Sequence, residues 1–131
     1  MNCLSLSRRT TGYSSVVWHR AKTQPGVRFG VARISFGRRL EIAREIRALG
    51  QKLEYLEAGN SIAEKAEVSI AAAEVDRVYL RCGLMAIEGL EVDGTPASAE
   101  SLFEAGPDDL TREILTAIKA EWGLSEEERK N

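Results

Sequence analysis

A single histidine, two cysteines and three prolines among 131 residues leave few groups able to carry chemistry. His19 alone rules out a histidine-pair metal site and weakens any relay in which an imidazole activates a nucleophile. Cys3 and Cys82 stand far apart and lack the paired spacing of a zinc site or disulfide framework, which implies a reducing, cytoplasmic setting. Cys82 falls in the apolar phase of its helix and reads as a small buried residue. Gly26, Gly30 and Gly37 are too scattered for a phosphate-cradling loop. The acidic groups Asp108-Asp109 and Glu126-Glu127-Glu128 sit at helix starts, where the helix dipole and capping account for them. No apolar run approaches the roughly 20 residues that span a bilayer, so the chain is expected to be soluble. With no convergent polar constellation, no catalytic, cofactor-binding or metal-ligating residue is expected, and the chain is read as not an enzyme.

Acid is also missing from the first forty residues: the first acidic side chain is Glu41. Up to Lys52 eleven Lys/Arg face two Glu, a net +9, whereas from Leu53 onward seven Lys/Arg face eighteen Asp/Glu, a net -11. Such a division marks either a basic segment that meets an anionic partner or two ends that neutralise each other, within one fold or across copies.

What the chain does contain is helical periodicity. From Arg38 to Cys82 it reads as two helices folded back on each other. Ile42, Ile46, Leu49, Leu53 and Leu56 recur at steps of four and three, one stripe of a helix, opposite a face with Arg39, Arg44, Arg47, Lys52 and Glu54. Gly50, inside this arm, implies either a close helix approach or a bend. Ala58-Gly59-Asn60 stops the arm, and Ser61 with Glu64 forms a capping box for the next. The second arm carries Val68, Ala72, Val75, Tyr79 and Cys82 on the same spacing. Ile62, Ala66, Ile70 and Ala73 widen that face, and Ala71-Ala72-Ala73 is slim enough for close packing. A short link favours antiparallel neighbours.

Residues 1–25, rich in Ser, Thr and Arg and without periodicity, are expected to be a disordered basic extension. Residues 26–131 are expected to form a single mainly helical domain. Val27 to Phe36 alternates through Val27, Phe29 and Val31 and then slips phase to Ile34 and Phe36, which predicts a strand with a bulge near Ala32 and Arg28 and Arg33 pointing outward. Residues 83–95 predict short strands with a tight turn at Asp93-Gly94, pairing with the strand near Phe29. Ser98 caps a short helix burying Leu102 and Phe103 and ending at Gly106. Pro107 then falls in the first turn of a last helix with the stripe Leu110, Ile114, Ala117 and Ile118. Trp122 lies near its end, Gly123 stops it, and Ser125 with Glu128 caps a final turn. The expected class is α+β, mainly α: an antiparallel helical hairpin with a small β element and C-terminal helices.

The C-terminal third, with its Gly-Pro-led helix GPDDLTREILTAI and its LSEEERKN ending, resembles small tail assembly chaperones of bacteriophages and prophages. The upstream segment VRFGVARISFGRRLEIAREI is compatible, so the resemblance covers residues 26–131. It implies a non-enzymatic protein, needing no cofactor, that binds a tape-measure-like helical partner or a tail-tube protein in the cytoplasm of a bacterial host. It carries over no binding residue by position. Self-association stays open beside it. The alternative, drawn from the acid-free first forty residues, is a small nucleic-acid-binding or regulatory protein, whose affinity would fall steeply with salt.

Overall fold

Residues 10–57 and 62–123 are described by the structure, a computed structural model. The chain opens with an antiparallel strand pair, β1 (Val16–Arg20) and β2 (Arg28–Ala32). Gly26, at φ +89°, takes the left-handed conformation their connection needs, and hydrogen bonds from Ala21 N to Val27 O (2.8 Å) and from Val27 N to Gln24 O (3.1 Å) close it. The expected extension over residues 1–25 is therefore corrected across Val16–Arg20, which belongs to the sheet, and a domain boundary at residue 26 would cut the hairpin connection. Val16-Val17-Trp18 are strand-favouring residues, and Pro25-Gly26 is the turn signal between them and β2.

β2 also pairs with β3 (Leu84–Glu88), giving the order β1-β2-β3, with Trp18 opposite Gly30 and Phe29 opposite Ile87. The pairing of residues 83–95 with the strand near Phe29 is as expected. The bulge lies between Gly30 and Val31, earlier than Ala32, and β2 ends at Ala32. The later phase slip is the start of a helix: Ser35 Oγ accepts from Arg38 N at 3.2 Å, and its carbonyl accepts from Arg39 N at 2.8 Å. Ile34 and Phe36 thus leave the strand.

Helices α1 (Phe36–Glu57) and α2 (Ile62–Gly83) form the expected antiparallel hairpin, in which Ile42 near the start of α1 packs with Val78 and Cys82 near the end of α2. Ile46 and Leu49 join them, half-buried. The expected stripe of α2 needs correction. Ala72, Ala66, Ile70 and Ala73 are exposed, whereas Ala71, Val78, Leu80 and Cys82 are buried. The C-terminal half of α2 serves two neighbours, turning Val78 and Cys82 to α1 and Leu80 to the main core. Nor does Gly50 mark a close approach among the described residues, since a Cβ there would meet no atom within 4 Å. The close approach is at Gly83, where a Cβ would lie 2.7 Å from Ile118 Cγ2. Gly59, the Ser61–Glu64 and Ser125–Glu128 boxes, Cys3 and the side chains of Leu53, Leu56 and Ile62 lie outside the described residues.

α2 passes directly into β3, after which β4 (Glu91–Val92) and β5 (Thr95–Pro96) form a second small antiparallel pair. Asp93 (φ 52°) and Gly94 (φ 80°) make its turn, and two consecutive positive φ angles are what a primed hairpin turn requires. Helix α3 (Ala99–Ala105) starts at the Ser98 cap, closed reciprocally by Ser101. Gly106 ends it, and Pro107 is the N-cap of α4 (Asp108–Glu121), one residue before the expected first-turn position. Leu110, Ile114 and Ile118 of α4 pack with Leu102 of α3, Leu80 and Leu84, beneath Val27, Phe29 and Val31 of the sheet. Phe103 and Ala117 are only half-buried at its margin. Among the described residues no helix is long and apolar enough to cross a membrane.

Candidate partner-binding face

The base of the hairpin is held by polar as well as apolar links. Arg38 Nη1 donates to the Cys82 carbonyl at 2.7 Å, satisfying a backbone acceptor in the last turn of α2. Arg81 pairs with Glu45 across the two helices. Together with the Ile42–Val78–Cys82 packing, these contacts fix which side of α1 faces outward.

Over its first two turns that outward side is apolar. Phe36 is 93% exposed and Leu40 53%, and exposed Ala43 continues them at helical spacing of four and three. Arg39, Arg44 and Arg47 flank or extend this stripe, and no side-chain ion pair or hydrogen bond ties them to another described residue. A recess of about 220 Å³ opens beside it, lined by Ile34, Arg39, Ile42, Ala43, Ile46, Tyr79 and Trp122. Trp122 is locked in place, its indole N–H donating to the Ala32 carbonyl at 2.8 Å and its ring 5.7 Å from that of Tyr79. The recess is smaller than the roughly 300–1,000 Å³ of small-molecule sites, so it is a slot for side chains. The sequence pattern places Ile42 and Ile46 correctly but not this face, because alternation carries Phe36 into the strand and nothing local ties Trp122 to more than a helix end.

Cys82, Glu41 and Glu45 come together beside the hairpin base, with one potential ligand atom from each within 4.8 Å of the others. Burial pushes the Cys82 thiol above its ordinary value, Glu45 and Glu41 push it further, and Arg81 and Arg38 partly oppose them. A protonated thiol and a carboxylate already engaged by Arg81 make a packed, charge-balanced contact, a poor donor set for a cation and a poor nucleophile. Cys82 is the small buried residue expected.

Other polar groups are tied into the fold. Asp108 pairs with Arg112 at 2.8 Å, and Asp109 Oδ1 accepts from Leu110 N at 2.8 Å at the start of α4. Lys119 pairs with Asp76 at 3.1 Å in an open polar recess between α2, α3 and α4. His19 stacks on Phe29 at 5.3 Å, and its buried Nε2 has no hydrogen-bond partner among the described residues. Arg28 and Arg33 are exposed as expected. Each also faces an acid from the later part of the chain, Glu88 at 3.6 Å and Glu121 at 3.8 Å. Part of the charge division is thereby neutralised within the fold.

Neither protein-family models, curated proteins nor solved structures match this chain.

Proposed function

We propose that the chain is a non-enzymatic tail assembly chaperone of the bacteriophage or prophage type. In this reading it acts in the bacterial cytoplasm and holds a tape-measure-like helical partner while tail subunits assemble. The observation that carries the reading is the unpartnered apolar face of α1, with Phe36 and Leu40 turned to solvent on a helix whose other side is fixed by α2. Such a face suits a helix-in-groove mode of recognition, in which an amphipathic partner lays its apolar side into a groove. The resemblance of the C-terminal third to that family points the same way. Co-expression with a candidate tape-measure protein tests it: the partner's soluble yield should rise and the two should co-purify. Phe36→Asp combined with Leu40→Asp should abolish both effects. An unchanged partner yield with the unaltered chain would reject the reading.

The stack of Arg28 over Trp18, both exposed and 4.7 Å from guanidinium to ring centroid, favours nucleic-acid binding as a second reading. It ranks behind the first because Glu88 and Glu121 already oppose Arg28 and Arg33. Binding of single-stranded DNA that weakens steeply with salt would reverse the order.

A further inference from the structure

We infer that the outer face of α1 and the recess beside Trp122 together take an amphipathic helix whose apolar stripe is bordered by acidic side chains. The inference rests on the partner-binding reading and adds the chemistry of the partner.

From Phe36 to Ala43 the apolar stripe runs two turns of α1, and Arg47 extends the same line to three turns, roughly 16 Å at 1.5 Å per residue. Phe36 and Leu40 are its raised apolar points, and the 220 Å³ recess beside them is its socket. A partner helix lying along α1 would cover Phe36 and Leu40 with one edge of its stripe and set a large aliphatic side chain against Ile42, Ile46 and Trp122. Other exposed aromatics lack this continuity: Trp18 lies under Arg28, and Tyr13 is 5.8 Å from the Arg33 guanidinium.

Charge then selects the partner's border. Arg28, Arg33, Arg77, Arg81 and Arg112 each face a carboxylate within the fold. Arg39, Arg44 and Arg47, on the apolar face, are opposed by no carboxylate among the described residues. Three such cations beside an apolar stripe favour acids on the partner and repel a basic helix, so they set specificity as well as encounter rate. The lining argues against nucleic acid. Ile34, Ile42, Ala43 and Ile46 offer no stacking surface, the rings of Tyr79 and Trp122 pack on each other, and Arg39 is the single cation of the lining.

Two fluorescently labelled peptides of about four turns test this, each with Leu at helical four-three spacing on an Ala background, one bordered by Glu and one by Lys. Titrated with the full chain, the Glu-bordered peptide should bind about tenfold or more tighter, and the difference should shrink at high salt. The charge-swapped chain Arg39→Glu/Arg44→Glu should reverse the preference, which a merely structural role for these arginines would not do. Phe36→Ala/Leu40→Ala should weaken both peptides about equally, with circular dichroism unchanged. Equal binding of the two peptides overturns the proposal. So does tighter capture of a thymidine oligonucleotide or anionic phospholipid vesicles through the same arginines. A dimer dissociated by Phe36→Ala/Leu40→Ala would assign the face to a second copy. A chain ending at Gly123 that binds the Glu-bordered peptide many-fold tighter would assign it to this chain's own residues 124–131. Either result also overturns the inference of an outside partner. Success in co-expression with no acidic preference would leave the chaperone reading standing and this inference rejected. An acidic preference without any effect in co-expression would do the opposite.

Discussion

Glu113 holds the β1–β2 connection onto α4 through hydrogen bonds from Lys22 N (2.8 Å), Thr23 N (3.0 Å) and the Thr23 hydroxyl (2.7 Å). Burial pushes its carboxyl up. The three hydrogen bonds and the Lys22 charge outweigh that and leave it below the ordinary carboxylate value. A lowered value in the folded state means that the clamp stabilises fully above the unfolded-state value of about 4.3, and that its contribution is lost as pH falls through the folded-state value. Glu113→Gln should cost about 1–2 kcal/mol at neutral pH, allowing for partial exposure. The loss should be smaller at pH 3 than at pH 7, as urea denaturation at the two pH values would show. An equal loss at both would mean that the carboxylate's charge contributes nothing. No sequence pattern pointed to this contact. Glu113 looks like any polar residue on the outer side of an amphipathic helix, and its partners are the backbone amides of a distant turn.

At the scale of elements, the junction between α2 and β3 is packed closely against α4. The helix ends at Gly83 and the strand begins at Leu84 with no intervening loop. A Cβ on Gly83 would meet Ile118 atoms at 2.7 and 2.9 Å. Ile118 is fully buried and has little room to withdraw. Gly83→Ala should therefore destabilise the protein by about 1–3 kcal/mol, read as a lowered melting temperature. Gly50→Ala offers a contrast: among the described residues the added methyl would meet no atom within 4 Å, and Ala is the better helix former by about 1 kcal/mol. That variant should be neutral or stabilising in the same measurement, and a loss as large as at Gly83 would show a close contact at α1 as well. Both glycines lie in helical patterns, and periodicity alone does not distinguish them. The difference arises because α4 crosses the end of α2, which is a matter of packing between segments far apart in sequence.

For the whole molecule, the strongest consequence follows from β1. Without it, β2 would lose one complete row of hydrogen-bonded partners from Val16 to Arg20, and Trp18 and Val16 would no longer lie over Gly30. The exposed edge of β2 would then be open to pairing with other chains. A chain starting at Gly26 should unfold less cooperatively and associate at concentrations where the full chain does not, as calorimetry and size-exclusion chromatography would show. Unchanged unfolding and elution would mean that β1 is dispensable. The charge division has a molecular-scale reading too. Arg28–Glu88 and Arg33–Glu121 join the basic and acidic parts of the chain; the first is an exposed pair and the second a partly exposed one, of the kind that contribute little each.

Local signals sufficed wherever a few neighbouring residues set the backbone. The Asp93-Gly94 turn needs two positive φ angles, Ser98 caps α3 through its own first turn, and Leu110, Ile114 and Ile118 share one side of α4 because of helical periodicity. Long-range packing settled the rest. It recruited Val16–Arg20 into the sheet, split the buried residues of α2 between two neighbours, and left Phe36 and Leu40 uncovered beside the Trp122 recess. A stripe of apolar residues states that something must cover it; which segment does so depends on where the other elements come to lie.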